Sequence, residues 1–521
     1  MKKINYKNNN LFYISAICFI STLLNFYYGY KGILPTDSFL IFDSGYYVLN
    51  GFYPFKDYWT VTGPLLDYFQ AFLFLIFGTN WFSYVLHASI MNLLLAIFSY
   101  FIFVQLGLKK IYSFIYSCGI SLLAYPIIGT PFMDHHSTIF SIFAIYCFIL
   151  GIEKNKNNYW FFIPIFLVFS FLSKQIPAAY IIIFILFMSI FFLYYNFDLK
   201  KIYSLLLGSF FILFIFFFVL LANQIPFDNF FVQYFLYPMS IGSNRVEGLT
   251  FSLKEFIGQF KYIYICLLPL LAILLKIILK KKKLTKQKDF IMIFTIVGMV
   301  LIFIYTQLLT KNQILIFFTI PLVTAFSQIY FIRYFKKKYF IYFIMLVCLF
   351  AVTKYHFRYN EHKKFMELEN VNFDSAIEAG RIHKIFNGLH WITASYANNP
   401  EKEMKEIIEI KDYINSDYSK KIIISDYQFF SAISLNKINT FIKWNKWYDP
   451  VSSPTKNNKY FIDYQKFFIN KIKKNKIIKI YGIGSDDKFV YFKDLFKNND
   501  CINSKQINDM FVVYDITNCE L

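Results

Sequence analysis

The chain has 521 residues and a formal charge of +21, yet 57% of it is hydrophobic and 22% is aromatic. That apolar load excludes an ordinary soluble domain, because it falls into repeated runs of about 20 apolar residues, the length of a transmembrane helix. The lysines lie in short clusters between those runs, the pattern of cytoplasmic loops, which sets nucleic acid aside as the partner of the positive charge.

The N-terminus carries Lys2, Lys3 and Lys7 and then an apolar run over 11–30. The run is long and lacks a small-residue cleavage site, so an uncleaved first span is expected, with its N-terminus cytoplasmic. A polar, turn-rich segment follows and forms a first outer loop over 31–80. Within it, 65–78 is apolar but carries Asp67 and Gln70. A run this short is expected to lie along the outer membrane face rather than cross. Further spans are expected at 81–104, 111–129, 137–152, 159–173, 176–195, 203–222, 262–279, 289–309, 312–332 and 338–354, eleven in all with the first. On this alternation Lys109-Lys110 and the basic clusters near 154–156, 200–201, 280–288 and 333–338 all fall on the cytoplasmic side.

An odd number of spans places the tail, 355–521, outside as a soluble domain, separate from a transmembrane domain over 1–354. Helical periodicity marks 404–415 and 459–475. The β-branched runs 420–425, 476–482 and 510–516 have strand length, and the alternation predicts a small α/β domain. Gly482 and Gly484 follow a strand, but they are only a fragment of a phosphate-binding fingerprint. Five cysteines lie in apolar runs; Cys501 and Cys519 lie in the tail, where an oxidising compartment would permit pairing. The expected fold is therefore a polytopic α-helical membrane protein with a C-terminal extracytoplasmic α/β domain, in a plasma or inner membrane.

Polar groups that interrupt the apolar pattern converge on the outer side: Asp43 and Asp57 in the first loop, Asp134, His135 and His136 after 111–129, and Lys174-Gln175 at the tip of a tight hairpin. Ionisable groups at such positions cost free energy unless they are used or solvated. Asp37 matches no motif position and reads as an ordinary loop acid. Asp57 is equally a turn acid or a functional one. The pair His135-His136 either caps a helix start beside Asp134 or, through Asp134 and His135, could hold a divalent metal.

The order Asp43-Ser44-x-x-Tyr47, Gly51-x-x-Pro54-x-x-Asp57, Gly63-Pro64-Leu65 and then a short aromatic helix ending at Gly78 is similar to the first outer loop of GT-C type glycosyltransferases. The resemblance is to the family 39 group, which includes protein O-mannosyltransferases and lipid A aminoarabinose transferases. Those show an Asp-Glu pair, a Gly-x-x-Pro turn, a Pro-Pro-Leu-aromatic helix and an acid in the second outer loop, matched here by Asp134. The likeness covers roughly the first 200 residues. Ser44 stands where the second acid is usual, and Thr62-Gly63 replaces a basic residue before the turn.

The resemblance implies inverting transfer of a sugar from a polyprenyl-phosphate donor to an extracytoplasmic acceptor such as a glycolipid, polysaccharide or protein. In that chemistry Asp43 is the expected general base, and Asp134 is the other expected catalytic residue, which with His135 would hold a divalent metal or orient the acceptor. Lys174, Gln175 and Arg245 are the expected groups for the leaving phosphate. Tyr47 and Asp57 are expected to shape the acceptor side, and Gly51 and Gly63 the loop. Three other classes fit a multispanning chain: a lipid or polysaccharide flippase, a polysaccharide polymerase or ligase, and an assembly protein. A flippase would place ionisable groups near mid-membrane or show inverted repeats, whereas the charges here sit at span ends.

Overall fold

The computed structural model describes residues 8–247, 254–279, 288–311, 316–335, 339–444, 452–484 and 490–520. These form two compact units. One gathers most of the long helices. The other joins residues 30–87 and 217–247 to the tail, 366–521, so the first loop and the tail share one core although they lie far apart in sequence.

Among the described residues, eight helices are long and apolar enough to cross a membrane, by length and composition: Asn10–Gly29, Trp81–Gln105, Met133–Lys154, Gln175–Tyr195, Leu199–Ala222, Lys261–Leu279, Lys288–Thr310 and Tyr339–Met366. Each matches an expected span. The other three expected spans hold shorter helices: Lys110–Leu123 with 14 residues, Asn157–Ser173 with 17 and Thr319–Tyr334 with 16. The helix Leu199–Ala222 leaves Phe210, Phe214, Phe218 and Leu221 more than 60% exposed. A contiguous apolar face of this kind is unfavourable in water and suits lipid.

Helix packing in the first unit relies on small and hydroxyl side chains. Ser170 Oγ donates to Ser137 O at 2.7 Å and lies 2.8 Å from Ser141 Oγ, tying Met133–Lys154 to Asn157–Ser173. A Cβ on Gly208 would lie 2.1 Å from the Phe161 carbonyl oxygen, so only glycine permits that approach.

The segment expected to lie along the membrane is a 14-residue helix, Pro64–Phe77. At 1.5 Å per residue it is about 21 Å long, short of an apolar core of about 30 Å. Its buried side includes Leu66, Asp67, Gln70, Ala71 and Phe74, while Phe72, Leu75, Ile76 and Phe77 are exposed. Gly63 enters the helix in the left-handed region, with φ of +63°. Gly45 lets the neighbouring helix Leu40–Leu49 come close, since a Cβ there would meet Gln70 at 2.6 Å.

The tail builds a four-stranded sheet of β3 (Lys421–Ser425), β4 (Lys479–Ile483), β5 (Asn503–Asn508) and β6 (Phe511–Asp515) in the order β3-β4-β6-β5, beside a two-residue pair of β1 (Ile377–Glu378) and β2 (His390–Trp391). β3 and β4 are parallel, joined through the helix Phe461–Asn475, while β6 runs antiparallel to β4 and β5. The expected helices and three expected strands are present within a few residues. The edge strand β5 was not expected: its sequence NSKQIN is polar apart from Ile507 and mostly exposed, so no alternation announces it.

Backbone hydrogen bonds stitch the loop to the tail twice. Gly32 N donates to His390 O and His390 N to Tyr30 O. Trp59 N donates to Phe441 O at 2.7 Å and Lys443 N to Trp59 O at 2.9 Å.

Cys501 and Cys519 form a disulfide across 18 residues of sequence. Closing a loop of this size stabilises by about 3 kcal/mol in the chain-entropy description. Reductant is therefore expected to lower the thermal unfolding midpoint of the purified protein and to leave a Cys501→Ser/Cys519→Ser variant unchanged, as read by scanning fluorimetry.

Candidate active site

Asp43 lies in the first turn of Leu40–Leu49, and Tyr47 follows it by one helical turn, so their side chains share a face. The Tyr47 hydroxyl donates to Asp43 Oδ2 at 2.8 Å and lies 2.6 Å from Ser431 Oγ; Ser431 is itself 3.5 Å from Oδ2. The other carboxylate oxygen, Oδ1, is buried and has no hydrogen-bond partner among the described residues. Asp43 is 9% exposed. Burial pushes its carboxyl up to about 7, against the opposing pull of the hydrogen bonds from Tyr47 and Ser431.

The carboxyl borders a cavity of about 10 Å³, lined also by Tyr47, Gln428, Ser431, Thr440 and Lys443. Gln428 Oε1 is a second buried acceptor without a partner among the described residues. Space of this size holds one water or one hydroxyl. The tail thus covers Asp43 with polar groups and leaves room for a single oxygen.

One residue along, Ser44 donates to Asp67 Oδ1 at 2.7 Å, and the Tyr58 hydroxyl donates to Asp67 Oδ2 at 2.9 Å. Lys443 completes this cluster, its ammonium donating to Asp67 Oδ1 at 2.5 Å and to the carbonyls of Thr62 and Gly63 at 3.1 and 3.2 Å. The side chains of Lys443 and Asp67 are 1% and 0% exposed. Ser44, which stands where the resembled family has an acid, therefore serves as a hydrogen-bond donor to a different acid.

Asp57 carries out a turn function. Its Oδ2 accepts from Tyr53 N at 2.9 Å, closing the Gly-x-x-Pro turn, and its Oδ1 lies 3.5 Å from Lys471. Glu403, also buried, accepts from Trp391, Thr393 and Tyr427 at 2.7–3.0 Å, so both its oxygens are occupied. Asp43, with one oxygen unpartnered, differs from these fully engaged acids.

In the other unit, Asp134 begins the helix Met133–Lys154, and Lys174 caps the start of Gln175–Tyr195. The Lys174 ammonium donates to both Asp134 oxygens at 2.7 Å. Gln175 is half-buried beside it. His135 Nε2 donates to the Ala124 carbonyl at 2.9 Å, which fixes the proton there, and its Nδ1 has no partner among the described residues. His136 Nδ1 meets the Tyr125 hydroxyl.

Asp134 and His135 do not make a metal set as placed. Both Asp134 oxygens hold an ammonium, and no group of three or more His, Cys, Asp or Glu suited to a metal occurs among the described residues. Arg245 lies in the helix Tyr237–Glu247, and its side chain falls outside the described residues.

The expected residues therefore form two clusters, Asp43–Tyr47 in one unit and Asp134–Lys174 in the other, with Asp57 in a turn of the first. Ser431, Gln428 and Lys443 went unforeseen, since they lie nearly 400 residues from the loop and no spacing links them to it. Asp67 carried a signal that was legible, an acid on the inward face of a short apolar helix. No family model and no curated protein matches the sequence.

The Asp43 carboxyl carries a stability consequence. Its folded value near 7 lies above the unfolded value of about 3.9, so the folded chain retains the proton between those values. Its contribution is fully present below pH 4, falls as pH rises to 7 and is lost above. Asp43→Asn is expected to raise the unfolding midpoint relative to the parent at pH 8, by roughly 2–4 kcal/mol of stability, and to change little at pH 4. Thermal unfolding at the two pH values checks this.

Proposed function

We propose that this chain is an inverting membrane glycosyltransferase that moves a sugar from a polyprenyl-phosphate donor to an acceptor outside the cytoplasm. One observation carries the reading: Asp43, in the loop that resembles the GT-C family 39 group, has a buried carboxylate oxygen with no partner among the described residues and a pKa near neutrality. A base of that strength is suited to take a proton from a hydroxyl near pH 7. The other oxygen is held by Tyr47, so the base is oriented before an acceptor arrives.

In the proposed reaction the acceptor hydroxyl sits at Asp43 Oδ1. Its oxygen attacks the anomeric carbon from the face opposite the phosphate, its proton passes to Asp43, and the glycosidic bond to phosphate breaks with the electron pair going to the phosphate oxygen. The leaving phosphate is already an anion and needs positive charge nearby, not a strong acid. Within its own unit, Lys174 is the group proposed to meet a phosphate. An ammonium has three donors, two of which go to Asp134, and the third is what a phosphate oxygen would take. Asp134 then acts by orienting Lys174. A cavity of about 10 Å³ admits one hydroxyl but not a sugar ring, so the tail segment around Gln428–Ser431 has to move aside for the acceptor.

Orientation follows the same reading. The first span starts in the cytoplasm, the Pro64–Phe77 helix lies along the outer face with its exposed aromatic side in lipid, and the tail is extracytoplasmic. The Cys501–Cys519 disulfide supports that location, since such bonds persist in oxidising compartments.

The test uses membranes containing the full-length protein and a panel of synthetic polyprenyl-phosphate monosaccharides, with release of polyprenyl phosphate as the readout. Asp43→Asn is expected to slow release by at least about 100-fold, and Lys174→Ala to raise the donor KM. Unchanged release by Asp43→Asn would remove the catalytic assignment.

A further inference from the structure

A second cavity in the loop–tail unit lies apart from Asp43 and has a different chemistry. It has a volume of about 380 Å³, within the range of small-ligand sites. One wall is the helix Phe461–Asn475, where Asp463, Lys466, Phe467, Asn470, Lys471 and Lys474 recur every three or four residues and so share a face. The opposite wall comes from Lys56, Asp57 and Trp59 of the first loop and from Asp228 and Gln233.

We propose that this cavity binds a saccharide carrying one or two anionic groups, a uronic acid or a phosphorylated sugar. Four lysines and three aspartates line it. Lys471 is engaged by Asp57 at 3.5 Å, and Lys56 donates to the Asn223 carbonyl. Lys466 and Lys474 have no ion-pair partner among the described residues, while both line the cavity and are exposed, so they can meet a carboxylate or phosphate. Asp228 and Asp463 likewise have no ion-pair partner among the described residues and can accept from sugar hydroxyls. A compact polyanion would be repelled by those carboxylates, and an acyl chain would find few apolar walls.

The aromatic groups suit a sugar ring. Trp59 and Phe467 both line the cavity with ring centroids 5.8 Å apart, an apolar surface among polar groups. The indole N–H of Trp59, a residue only 2% exposed, has no acceptor among the described residues. The mixture of cations, carboxylates, amides and aromatic faces matches an anionic carbohydrate better than a bare inorganic ion or a wholly apolar ligand. The assignment does not depend on the transferase reading, because binding is measured without a sugar donor.

The experiment is calorimetric titration of the purified full-length protein in lipid nanodiscs with digalacturonate, glucose 6-phosphate, maltotriose and inorganic phosphate. At least one of the two anionic sugars is expected to bind saturably, with maltotriose and phosphate each weaker by about tenfold or more. Lys466→Ala/Lys474→Ala is expected to weaken the anionic sugar by about tenfold with an unchanged unfolding midpoint, and Lys466→Arg/Lys474→Arg to retain binding. Phe467→Ala is expected to weaken the sugar but not phosphate. Failure of both anionic sugars to bind, or full affinity in the double alanine variant, would overturn the site. Equal binding of maltotriose would remove the anionic group from the ligand, and equal binding of phosphate would remove the sugar.

Discussion

The loop–tail unit depends on one buried ion pair, Asp67 with Lys443. Taking both charges out of water is costly, and their attraction offsets that cost only if the remaining donors and acceptors are also satisfied. Here they are: Ser44 and Tyr58 complete the carboxylate, and two backbone carbonyls complete the ammonium. Removing one partner strands the other charge, a loss of about 3–5 kcal/mol in comparable sites. Burial pushes the Asp67 carboxyl up and the Lys443 ammonium down, and each charge opposes the shift of the other.

That pair sets the position of everything around Asp43. Lys443 grips the Thr62-Gly63 carbonyls just ahead of the Pro64–Phe77 helix, and its own backbone N–H pairs with Trp59. The same tail segment brings Thr440 and Lys443 to the small cavity at Asp43, while Gln428 and Ser431 reach it from the segment after β3. Ser44 ties Leu40–Leu49 to Asp67, which leaves the preceding side chain, Asp43, facing the cavity. Two of the buried polar atoms without a partner among the described residues, Asp43 Oδ1 and Gln428 Oε1, belong to residues that line this one cavity. Buried polar atoms without partners call for an explanation, and the proposed reaction would give these two a chemical role.

Much of the architecture was legible because it is periodic. Apolar length and lysine clusters located the helices, and β-branched and amphipathic runs located the tail's helices and three of its four main strands. The polar edge strand Asn503–Asn508 has no such period and is held by its pairing with Phe511–Asp515. The candidate site was legible by half. Asp43 and Tyr47 stand one helical turn apart, and Asp134 and Lys174, placed together by topology, do meet. Their meeting changes their meaning, since the acid and the cation engage each other. The partners from the tail were beyond sequence reading, because long-range contacts such as Lys443 to Asp67 leave no local pattern.

The central claim is that Asp43 takes the acceptor's proton. The most direct measurement is the pH dependence of kcat/KM for release of polyprenyl phosphate by the full-length protein, from pH 5 to pH 9. A base with a pKa near 7 gives a rate that climbs with pH through that value and then levels off. In Asp43→Asn the residual rate should show no such rise. A parent profile that is flat across this range, or an identical rise in Asp43→Asn, would contradict the account.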